Sequence, residues 1–383
     1  MSDRTPVIAG VAESDLGVTG RTILELHAQG IVRALDDAGL ALRDVDALFA
    51  TGVSRFSAAL LAEYLGIRPV WTESSMGGGA SYEIFAGHAA EAIRAGRCEV
   101  ALLSYGNNQR SARSRKLGGV IDEHAPEAQF EAPYGPLNPI SLYAMAAQRH
   151  MHEFGTTPEQ LAEVAVAARA WALRNPAAFR HGDGTLSVED VLSSPTVSTP
   201  LHALDCCLIT AGGGAVVMTT AERARDLKRI PVAVLGHGEE TTNNGMSQIP
   251  DLTAIGAQAS GARAYAMAGL GPGEVDVVQV YDSFTITVLL ELEALGFCGR
   301  GEAGAFVQKG RIAPGGEFPL NTSGGGLSYC HPGIFGLLLL VEAVRQLRGE
   351  CGERQVPGAR VALCHGTGGI LSTHSTVILG VHQ

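Results

Sequence analysis

The sequence predicts a duplicated α/β protein, a layered sandwich of two similar halves with a loop-rich segment inserted in the first half. Helical and strand patterns alternate, and the strands are almost continuously apolar, which indicates parallel-type sheets that are covered on both faces. A helix–turn–strand segment occurs twice, 230 residues apart. Glycine supplies 49 of the 383 residues, about twice its usual ~7% share, and clusters in short runs that predict tight turns and close backbone contacts.

The first repeat joins a helix to a strand. Residues 32–46 read VRALDDAGLALRDVD, and residues 262–276 read ARAYAMAGLGPGEVD. Seven residues are identical at the fixed offset, including the pairs Gly39/Gly269 and Asp46/Asp276. Each copy predicts an amphipathic helix that ends at the glycine, then a turn, then an apolar strand at 47–50 or 277–280.

The second repeat is a glycine turn. GGGASY at 77–82 and GGGLSY at 324–329 each precede an apolar helix, which carries EAIR at 91–94 or EAVR at 342–345. Val-Ala-Leu follows both helices, and the second copy has an extra CHPG at 330–333. The preserved order predicts halves at 1–229 and 230–383, with the insertion at about 110–205. Inserted loops of this kind often carry binding residues.

Charge and cysteine content exclude several classes of protein. The net charge of −11 argues against nucleic acid as the main partner. The longest apolar run, 334–341, is too short for a membrane span. Seven cysteines without a CxxC pair argue against a structural zinc site and suit a reducing compartment, so we expect a cytoplasmic protein without bound metal.

Five motifs, taken in order on this duplicated frame, resemble those of the thiolase superfamily, in particular its sterol-carrier-protein thiolase or lipid-transfer-protein branch. They are YDSF at 281–284, GFC at 296–298, NTSGG at 321–325, CHPG at 330–333 and CHGTGG at 364–369. The resemblance covers essentially the whole chain. It implies a five-layer αβαβα fold, a homodimer, and carbon–carbon chemistry on acyl-CoA thioesters, with coenzyme A present only as part of the substrate.

The nucleophile of the family is missing. Thiolases carry a reactive cysteine at the start of the first-half helix, and the family spacing places Gly79 there, with no cysteine between residues 1 and 97. Ser75, Ser81 or Cys330 are alternative nucleophiles, although a serine hydroxyl needs a strong base beside it. Gly79 and Ser81 are expected to line the substrate site.

The resemblance assigns the remaining catalytic candidates. His331 matches the histidine that acts at the thioester, and Cys364 matches the second, acid/base cysteine. His365 could act in place of Cys364. Tyr281 and Tyr329 fall at positions similar to the acid/base tyrosines of cysteine-free, aldolase-like members.

Two further expectations concern binding. The turn that begins at Gly366 can direct backbone N–H groups at a thioester oxygen. Arg113 and Arg115, in a basic run, are candidates for the phosphates of coenzyme A. Relatives in this branch often pair with a small OB-fold protein of the DUF35 type, so such a partner is expected.

Three functions therefore stay open. The first is an aldol or retro-aldol enzyme that acts on an acyl-CoA thioester without a cysteine nucleophile. The second is an acyltransferase or thiolase with a different nucleophile, and the third is a non-catalytic protein that binds acyl-CoA. The loss of the cysteine favours the first and third over the second, and the retained tyrosines and histidine favour the first over the third.

Overall fold

The computed structural model describes residues 4–113 and 122–381. The strands are β1 (Pro6–Glu13), β2 (Ala47–Ala50), β3 (Trp71–Glu73), β4 (Val100–Asn107), β5 (Thr196–Ser198), β6 (Leu201–His202), β7 (Gly212–Thr220), β8 (Val232–Thr241), β9 (Val277–Val280), β10 (Val361–Gly368) and β11 (Thr373–Val381). The α-helices are α1 (Ile23–Ala38), α2 (Ser57–Leu65), α3 (Ser81–Arg94), α4 (Pro126–Phe130), α5 (Ile140–Phe154), α6 (Pro158–Ala172), α7 (Val188–Ser193), α8 (Ala221–Ala224), α9 (Ala257–Ala268), α10 (Thr285–Ala294), α11 (Ala303–Phe306) and α12 (Gly336–Arg348).

The main sheet runs through both halves of the molecule. Its order is β3-β2-β4-β7-β1-β8-β11-β10-β9, and the halves join through a short antiparallel pairing of β1 with β8. β2 is parallel to β3 and β4, and β9 is parallel to β10, whereas the other pairs are antiparallel. Each half is thus mixed rather than parallel, because the strands nearest the centre run in alternate directions.

The helices form three layers around the two halves of the sheet. α3 and α12 lie in the middle, where Phe85 and Leu340 share one core with Val216 of the first half and Val377 of the second. α1 and α2 cover the outer face of the first half, and α9 and α10 cover the outer face of the second. The order α–β–α–β–α confirms the predicted five-layer fold.

The first repeat folds as its pattern predicts. α1 and α9 each end at a glycine in the left-handed conformation, Gly39 with φ 79° and Gly269 with φ 67°. β2 and β9 have the predicted bounds. The same local signal therefore produces the same helix–turn–strand unit in both halves.

The repeated aspartates, Asp46 and Asp276, anchor the start of a neighbouring strand. The Asp46 carboxylate accepts hydrogen bonds from the backbone N–H groups of Glu99 and Val100, at the start of β4. The Asp276 carboxylate accepts them from Arg360 and Val361, at the start of β10. Each aspartate therefore fixes the neighbouring parallel strand in register.

The second repeat diverges where the site forms. α3 begins at Ser81, directly after the first glycine turn, but residues 325–329 fold as a separate, wide helical turn and α12 begins only at Gly336. The extra residues form a loop that carries His331 between the two. The glycine turn and the helix are therefore separated in the second half, whereas they are continuous in the first.

The segment between β4 and β7 contains the predicted insertion. Its helices α5 and α6 pack on α10, so the insertion covers the second half of the sheet although it belongs to the first half of the chain. Among residues 4–113 and 122–381, no helix combines the length and the apolar character that crossing a membrane requires.

Candidate active site

Two glycine runs meet backbone to backbone at the start of α3. A β-carbon on Gly78 would lie 2.8 Å from the α-carbon of Gly368, and one on Gly368 would lie 1.8 Å from the carbonyl oxygen of Gly77. Since real β-carbons do not come so close to other atoms, glycine is required on both sides of this contact. The glycine excess of the sequence is thus partly explained by one junction, between the turn at 77–79 and the end of β10.

Gly79 has no room for a side chain. A β-carbon there would lie 2.4 Å from Cε2 and 2.6 Å from Cζ of the Tyr281 ring, and 2.2 Å from the carbonyl oxygen of Thr367. Tyr281 follows β9 and is almost fully buried. Its ring occupies the space beside the start of α3 into which a cysteine at position 79 would project.

The phenol of Tyr281 pairs with the imidazole of His331. Tyr281 Oη lies 2.9 Å from His331 Nε2 and 3.0 Å from the carbonyl oxygen of Gly333, and it accepts a hydrogen bond of 3.3 Å from the backbone N–H of Phe335. Its single proton is donated either to the histidine or to the carbonyl. This pair joins two candidates that lie 50 residues apart in the chain.

Burial determines the protonation of the pair. It raises the pKa of Tyr281 well above its usual value and lowers the pKa of His331 to about 4. Both groups are therefore neutral near pH 7. A neutral imidazole accepts a proton, and a neutral phenol can pass one on.

Residues of the first half hold the histidine loop in place. The backbone N–H of His331 donates to Thr210 Oγ1 at 2.9 Å, and its carbonyl accepts from the Thr210 N–H and from Gln109 Nε2. Tyr105 Oη donates to the carbonyl of Pro332 and accepts from the N–H of Ile334. The loop is thus fixed on both sides of the imidazole.

Asp282 holds the glycine turn that precedes this loop. Its carboxyl accepts hydrogen bonds from the N–H groups of Gly326 at 2.6 Å and Leu327 at 3.1 Å. Burial raises its pKa to about 7, although these bonds oppose the shift. Asp282 therefore positions the backbone next to Tyr281.

Tyr329 lies near the pair but bonds elsewhere. Its ring packs against Phe335, which also contacts the rings of Tyr281 and His331. Its hydroxyl donates to Glu13 at 2.8 Å, and Arg345 forms an ion pair with that carboxylate.

The Glu13–Arg345 pair determines the charge next to Tyr329. Burial alone would raise the pKa of Glu13, but the charge and hydrogen bonds of Arg345 hold it below its usual value. The phenol of Tyr329 therefore faces a carboxylate, and burial together with that charge raises its own pKa well above its usual value.

Cys364 and His365 point to opposite faces of β10. Cys364 faces the central helices, is fully buried and donates to the carbonyl of Leu339. His365 faces the outer side, with Nδ1 2.8 Å from Thr376 Oγ1 and Nε2 3.3 Å from His374 Nδ1. Neither side chain contacts the Tyr281–His331 pair in these hydrogen bonds.

The alternative nucleophiles are not activated. Ser81 Oγ donates to the carbonyl of Gly78 and accepts from the N–H of Gly77, which closes the glycine turn. Ser75 Oγ donates to Glu73. Cys330 Sγ pairs with Thr210 Oγ1. In the hydrogen bonds of the described residues, Ser81 and Cys330 meet no carboxylate or imidazole. The carboxylate that Ser75 meets is a weak base because, although burial would raise the pKa of Glu73, hydrogen bonds from His88 and Ser75 lower it.

The cysteines share one electrostatic property. Burial raises the pKa of all seven thiols, to about 12 for Cys330 and well above the usual value for Cys364. The thiolate is the reactive form of cysteine, and these environments oppose it. The geometry therefore offers acid/base chemistry rather than nucleophilic chemistry.

The remaining binding candidates are only partly placed. Gly366 lies within β10 rather than at the start of a turn, and it packs against the residue before α3, since a β-carbon there would be 2.7 Å from the α-carbon of Ala80. Arg113 is exposed at the end of the turn after β4, and Arg115 lies outside the described residues. No group of three or more metal-ligating side chains that could hold an ion occurs in the described part of the chain.

The residues that hold the site together are not among those that the motifs predict. Phe335 acts through its backbone N–H, and the Thr210 hydroxyl bonds the backbone of His331, so neither leaves a pattern in side-chain spacing. Glu13, at the end of the apolar run VIAGVAE, and Glu83, in the apolar helix after the glycine turn, were visible as acidic residues in apolar surroundings. Acidic side chains are rarely buried unless they are paired or serve a structural or catalytic role.

Comparison with known proteins identifies the family. A family model described as Thiolase C-terminal domain-like matches residues 238–381. The chain is 34% identical to 17-hydroxy-3-oxo-4-pregnene-20-carboxyl-CoA lyase of Mycobacterium tuberculosis, over 94% of this chain and 96% of that protein. It is also 34% identical to an acetyl-CoA acetyltransferase of Methanothermobacter thermautotrophicus, over 97% and 99%.

A solved structure agrees with these matches. An Ltp2-ChsH2(DUF35) aldolase superposes with a TM-score of 0.89 at 33% identity, covering 100% of this chain and 99% of that chain. The chain therefore belongs to the thiolase superfamily, in the branch of the sterol-carrier-protein thiolases and the aldolase-like lipid-transfer proteins. The predicted resemblance is confirmed.

Proposed function

We propose that the protein cleaves the carbon–carbon bond of a β-hydroxyacyl-CoA thioester by a retro-aldol reaction, without a covalent acyl-enzyme. The observation that carries the proposal is the position of Tyr281. Its ring fills the space beside Gly79, and its hydroxyl meets His331 Nε2 at 2.9 Å. Tyr281 thus fills the space that a nucleophilic cysteine would need and supplies an acid/base hydroxyl, which favours acid/base chemistry over nucleophilic chemistry.

The reaction needs one proton to move from oxygen to carbon. The β-hydroxyl of the substrate gives its proton to Tyr281 Oη while Tyr281 passes its own proton to His331 Nε2. The bond between the α- and β-carbons then breaks, which leaves a ketone or aldehyde and the enolate of a shorter acyl-CoA. The proton returns through Tyr281 to the α-carbon of that enolate.

The pKa directions suit this sequence of steps. A buried phenol whose pKa is raised keeps its proton, so Tyr281 acts as a relay rather than as a standing phenolate. The imidazole is neutral at rest and can accept a proton. We assign the stabilisation of the enolate oxygen to backbone N–H groups at the start of α3 and near Gly366, where the positive end of the helix favours negative charge.

The names of the relatives support the type of reaction. The lyase from Mycobacterium tuberculosis is named for a hydroxylated steroid carboxyl-CoA, and the superposed structure is named an aldolase. From them we infer the bond that is broken, a carbon–carbon bond beside a CoA thioester. Arg113 and Arg115 remain candidates for the CoA phosphates.

A substrate panel tests the proposal. The protein is incubated with β-hydroxyacyl-CoA thioesters that carry aliphatic, aromatic and steroid groups, and the carbonyl product and the shorter acyl-CoA are separated by chromatography. We expect stoichiometric formation of both products from at least one member. Tyr281→Phe should reduce cleavage by at least about 10²-fold. Tyr265→Phe should not, because the Tyr265 hydroxyl donates to the carbonyl of Leu295 and not to the Tyr281–His331 pair.

Similarity to an acetyl-CoA acetyltransferase makes acyl transfer the second candidate function. An acyltransferase requires an activated nucleophile, and the raised pKa of every cysteine, the hydrogen bonds of Ser81 and the lowered pKa of Glu73 beside Ser75 oppose one. Acyl transfer between thioesters, together with inactivation by alkylation, would favour that function. Binding of acyl-CoA without turnover of either kind would favour a non-catalytic carrier.

We further propose the assembly in which the site works. The superposed aldolase is named as a complex with a DUF35 protein, which supports a small OB-fold partner for this chain. The edge strand β3 and the exposed side chains of Tyr64 and Val70 near it support a homodimer through that edge. Cytoplasmic localisation remains our expectation. Co-expression with a DUF35 protein, followed by light scattering, tests both contacts.

A further inference from the structure

Glu83 is a buried carboxyl group that the proposed reaction does not use. It lies in the first turn of α3 and is fully inaccessible to solvent. Neither of its carboxyl oxygens has a hydrogen-bond partner among the described residues. Burial raises its pKa well above its usual value, which favours the protonated, uncharged form.

Two glycines leave space for this carboxyl. A β-carbon on Gly336, at the start of α12, would lie 2.2 Å from Glu83 Oε2, and one on Gly366 in β10 would lie 2.3 Å from the same atom. The β-carbon on Gly336 would also lie 2.5 Å from the carbonyl oxygen of Gly79. The carboxyl is therefore packed where α3, α12 and β10 converge.

The same three elements determine the place of Tyr281. The α-carbon of Gly79 abuts its ring, and Phe335, the residue before α12, donates its N–H to the phenol oxygen. A change in the distance between α3 and α12 would move these two contacts apart. The Glu83 side chain is packed between these elements at that level.

We propose that Glu83 is a positioning residue that holds α3, α12 and β10 at the separation at which Tyr281 meets both Gly79 and the Phe335 amide. The inference rests on the proposed function for its catalytic consequence. As a carboxylic acid, Glu83 packs beside the Gly79 carbonyl without repulsion. As a carboxylate, Glu83 would be repelled by the Gly79 carbonyl oxygen, and the backbones of Gly336 and Gly366 would leave it no room to move away. We therefore expect α3, α12 and β10 to separate.

The surroundings of Glu83 oppose its ionisation. The titratable groups whose pKa is raised further by its charge are Cys364 on β10 and Glu291 on α10, and both are buried, which already raises the pKa of each well above its usual value. No cation is among them. When Glu83 loses its proton at alkaline pH, none of these groups can neutralise the new charge. We therefore expect Tyr281 to lose its contacts with Gly79 and the Phe335 amide.

Two variants and one matched control test the proposal. Glu83→Gln keeps the size and neutrality of the side chain at every pH, and Glu83→Ala removes it. Glu91→Gln lies on the same helix, two turns away, where the carboxylate is exposed and bonded to Arg94 and His237. Gel filtration and circular dichroism first establish that each variant is folded.

The first readout is the pH profile of kcat from about pH 7 to about 10. We expect the wild type and Glu91→Gln to lose activity towards alkaline pH, and Glu83→Gln to lose this limb while kcat at pH 7 stays within about threefold. Glu83→Ala should lower kcat at least about tenfold with KM nearly unchanged. Identical profiles for the wild type and Glu83→Gln would overturn the proposal.

The second readout does not depend on activity. In protein labelled with ¹⁵N-histidine, the His331 Nε2 signal, assigned by its loss in His331→Asn, reports the hydrogen bond with Tyr281. It should move with pH in the wild type, be shifted at pH 7 in Glu83→Ala and be insensitive to alkaline pH in Glu83→Gln. A signal unchanged in Glu83→Ala contradicts the positioning role, even if no substrate is cleaved, and a shifted signal without cleavage contradicts only the proposed function.

Discussion

The ring of Tyr281 lies against the α-carbon of Gly79, in the space that any side chain at position 79 would need. Two residues that are 202 positions apart thus exclude the nucleophile by shape as well as by identity. The same tyrosine presents its hydroxyl to His331. The placement of Tyr281 therefore accounts both for the absence of a cysteine at position 79 and for the presence of an acid/base hydroxyl beside His331.

Gly79→Ala tests this packing. The added β-carbon would clash with the Tyr281 ring and with the Thr367 carbonyl, so we expect a loss of stability of about 1–3 kcal/mol or more in urea unfolding. Gly182→Ala is the control, because a β-carbon there meets no atom within 4 Å. Equal stability of the two variants would mean that the ring does not occupy this space.

Gly79→Ala should cost less stability in a Tyr281→Ala background than in the wild type, but its cost should not vanish. Tyr281→Ala removes the clash with the ring, but the Thr367 carbonyl belongs to the backbone of β10 and stays in place. A double-mutant cycle of unfolding free energies measures the coupling between the two positions. Additive effects without coupling would contradict the contact.

The two candidate tyrosines should differ in their roles. Tyr329→Phe removes a hydrogen bond to the Glu13 carboxylate and should cost about 1–3 kcal/mol of stability, with kcat reduced less than tenfold. Tyr281→Phe removes the acid/base hydroxyl and should reduce kcat by about 10²- to 10⁴-fold. Steady-state kinetics and urea unfolding of both variants distinguish a catalytic from a structural role. A larger loss of kcat in Tyr329→Phe than in Tyr281→Phe would mean that Tyr329 is the acid/base residue.

Much of the fold could be predicted from the sequence, because the signals that produce it are local. The glycine ends of α1 and α9 and the apolar strands β2 and β9 each depend on a few neighbouring residues. The pairing of β1 with β8 depends on contacts across the whole chain, which periodicity does not encode.

The site was only partly predictable for the same reason. The motifs marked Tyr281 and His331, but they gave no indication that the side chain of His365 faces away from them. Alternation along a strand is visible only when the bounds and the direction of the strand are known. The family resemblance located the residues, and the three-dimensional packing decided which of them meet.

The buried imidazole predicts how stability changes at acid pH. In the folded state the pKa of His331 is about 4, against about 6.5 when exposed. The unfolded state therefore binds the proton more readily, and the stability associated with neutral His331 is lost as pH falls from about 6.5 to about 4. The loss is on the order of 3 kcal/mol.

His331→Asn measures this contribution. His27 and His374 have pKa values that burial lowers in the same direction, so the wild type and the variant must be compared at each pH. The difference between their urea unfolding free energies should shrink between about pH 6.5 and about 4.5. A difference that is constant with pH would show that the imidazole titrates normally in the fold.

Alkylation tests the role of the cysteines. Because burial raises the pKa of all seven thiols, iodoacetamide at pH 7 should label the folded protein slowly and leave activity intact. The same protein in urea, where the thiols are exposed, is the positive control for labelling. Rapid inactivation, with the label on Cys330 or Cys364, would indicate a cysteine-dependent reaction.

The most direct test of the central claim is the intact mass of the protein during turnover. The enzyme is mixed with a β-hydroxyacyl-CoA that it cleaves, quenched in acid at intervals and analysed by mass spectrometry while the products are quantified. We predict that the carbonyl product and the shorter acyl-CoA accumulate while the protein keeps its unmodified mass throughout. An acyl adduct that forms and decays at the rate of turnover would contradict the account.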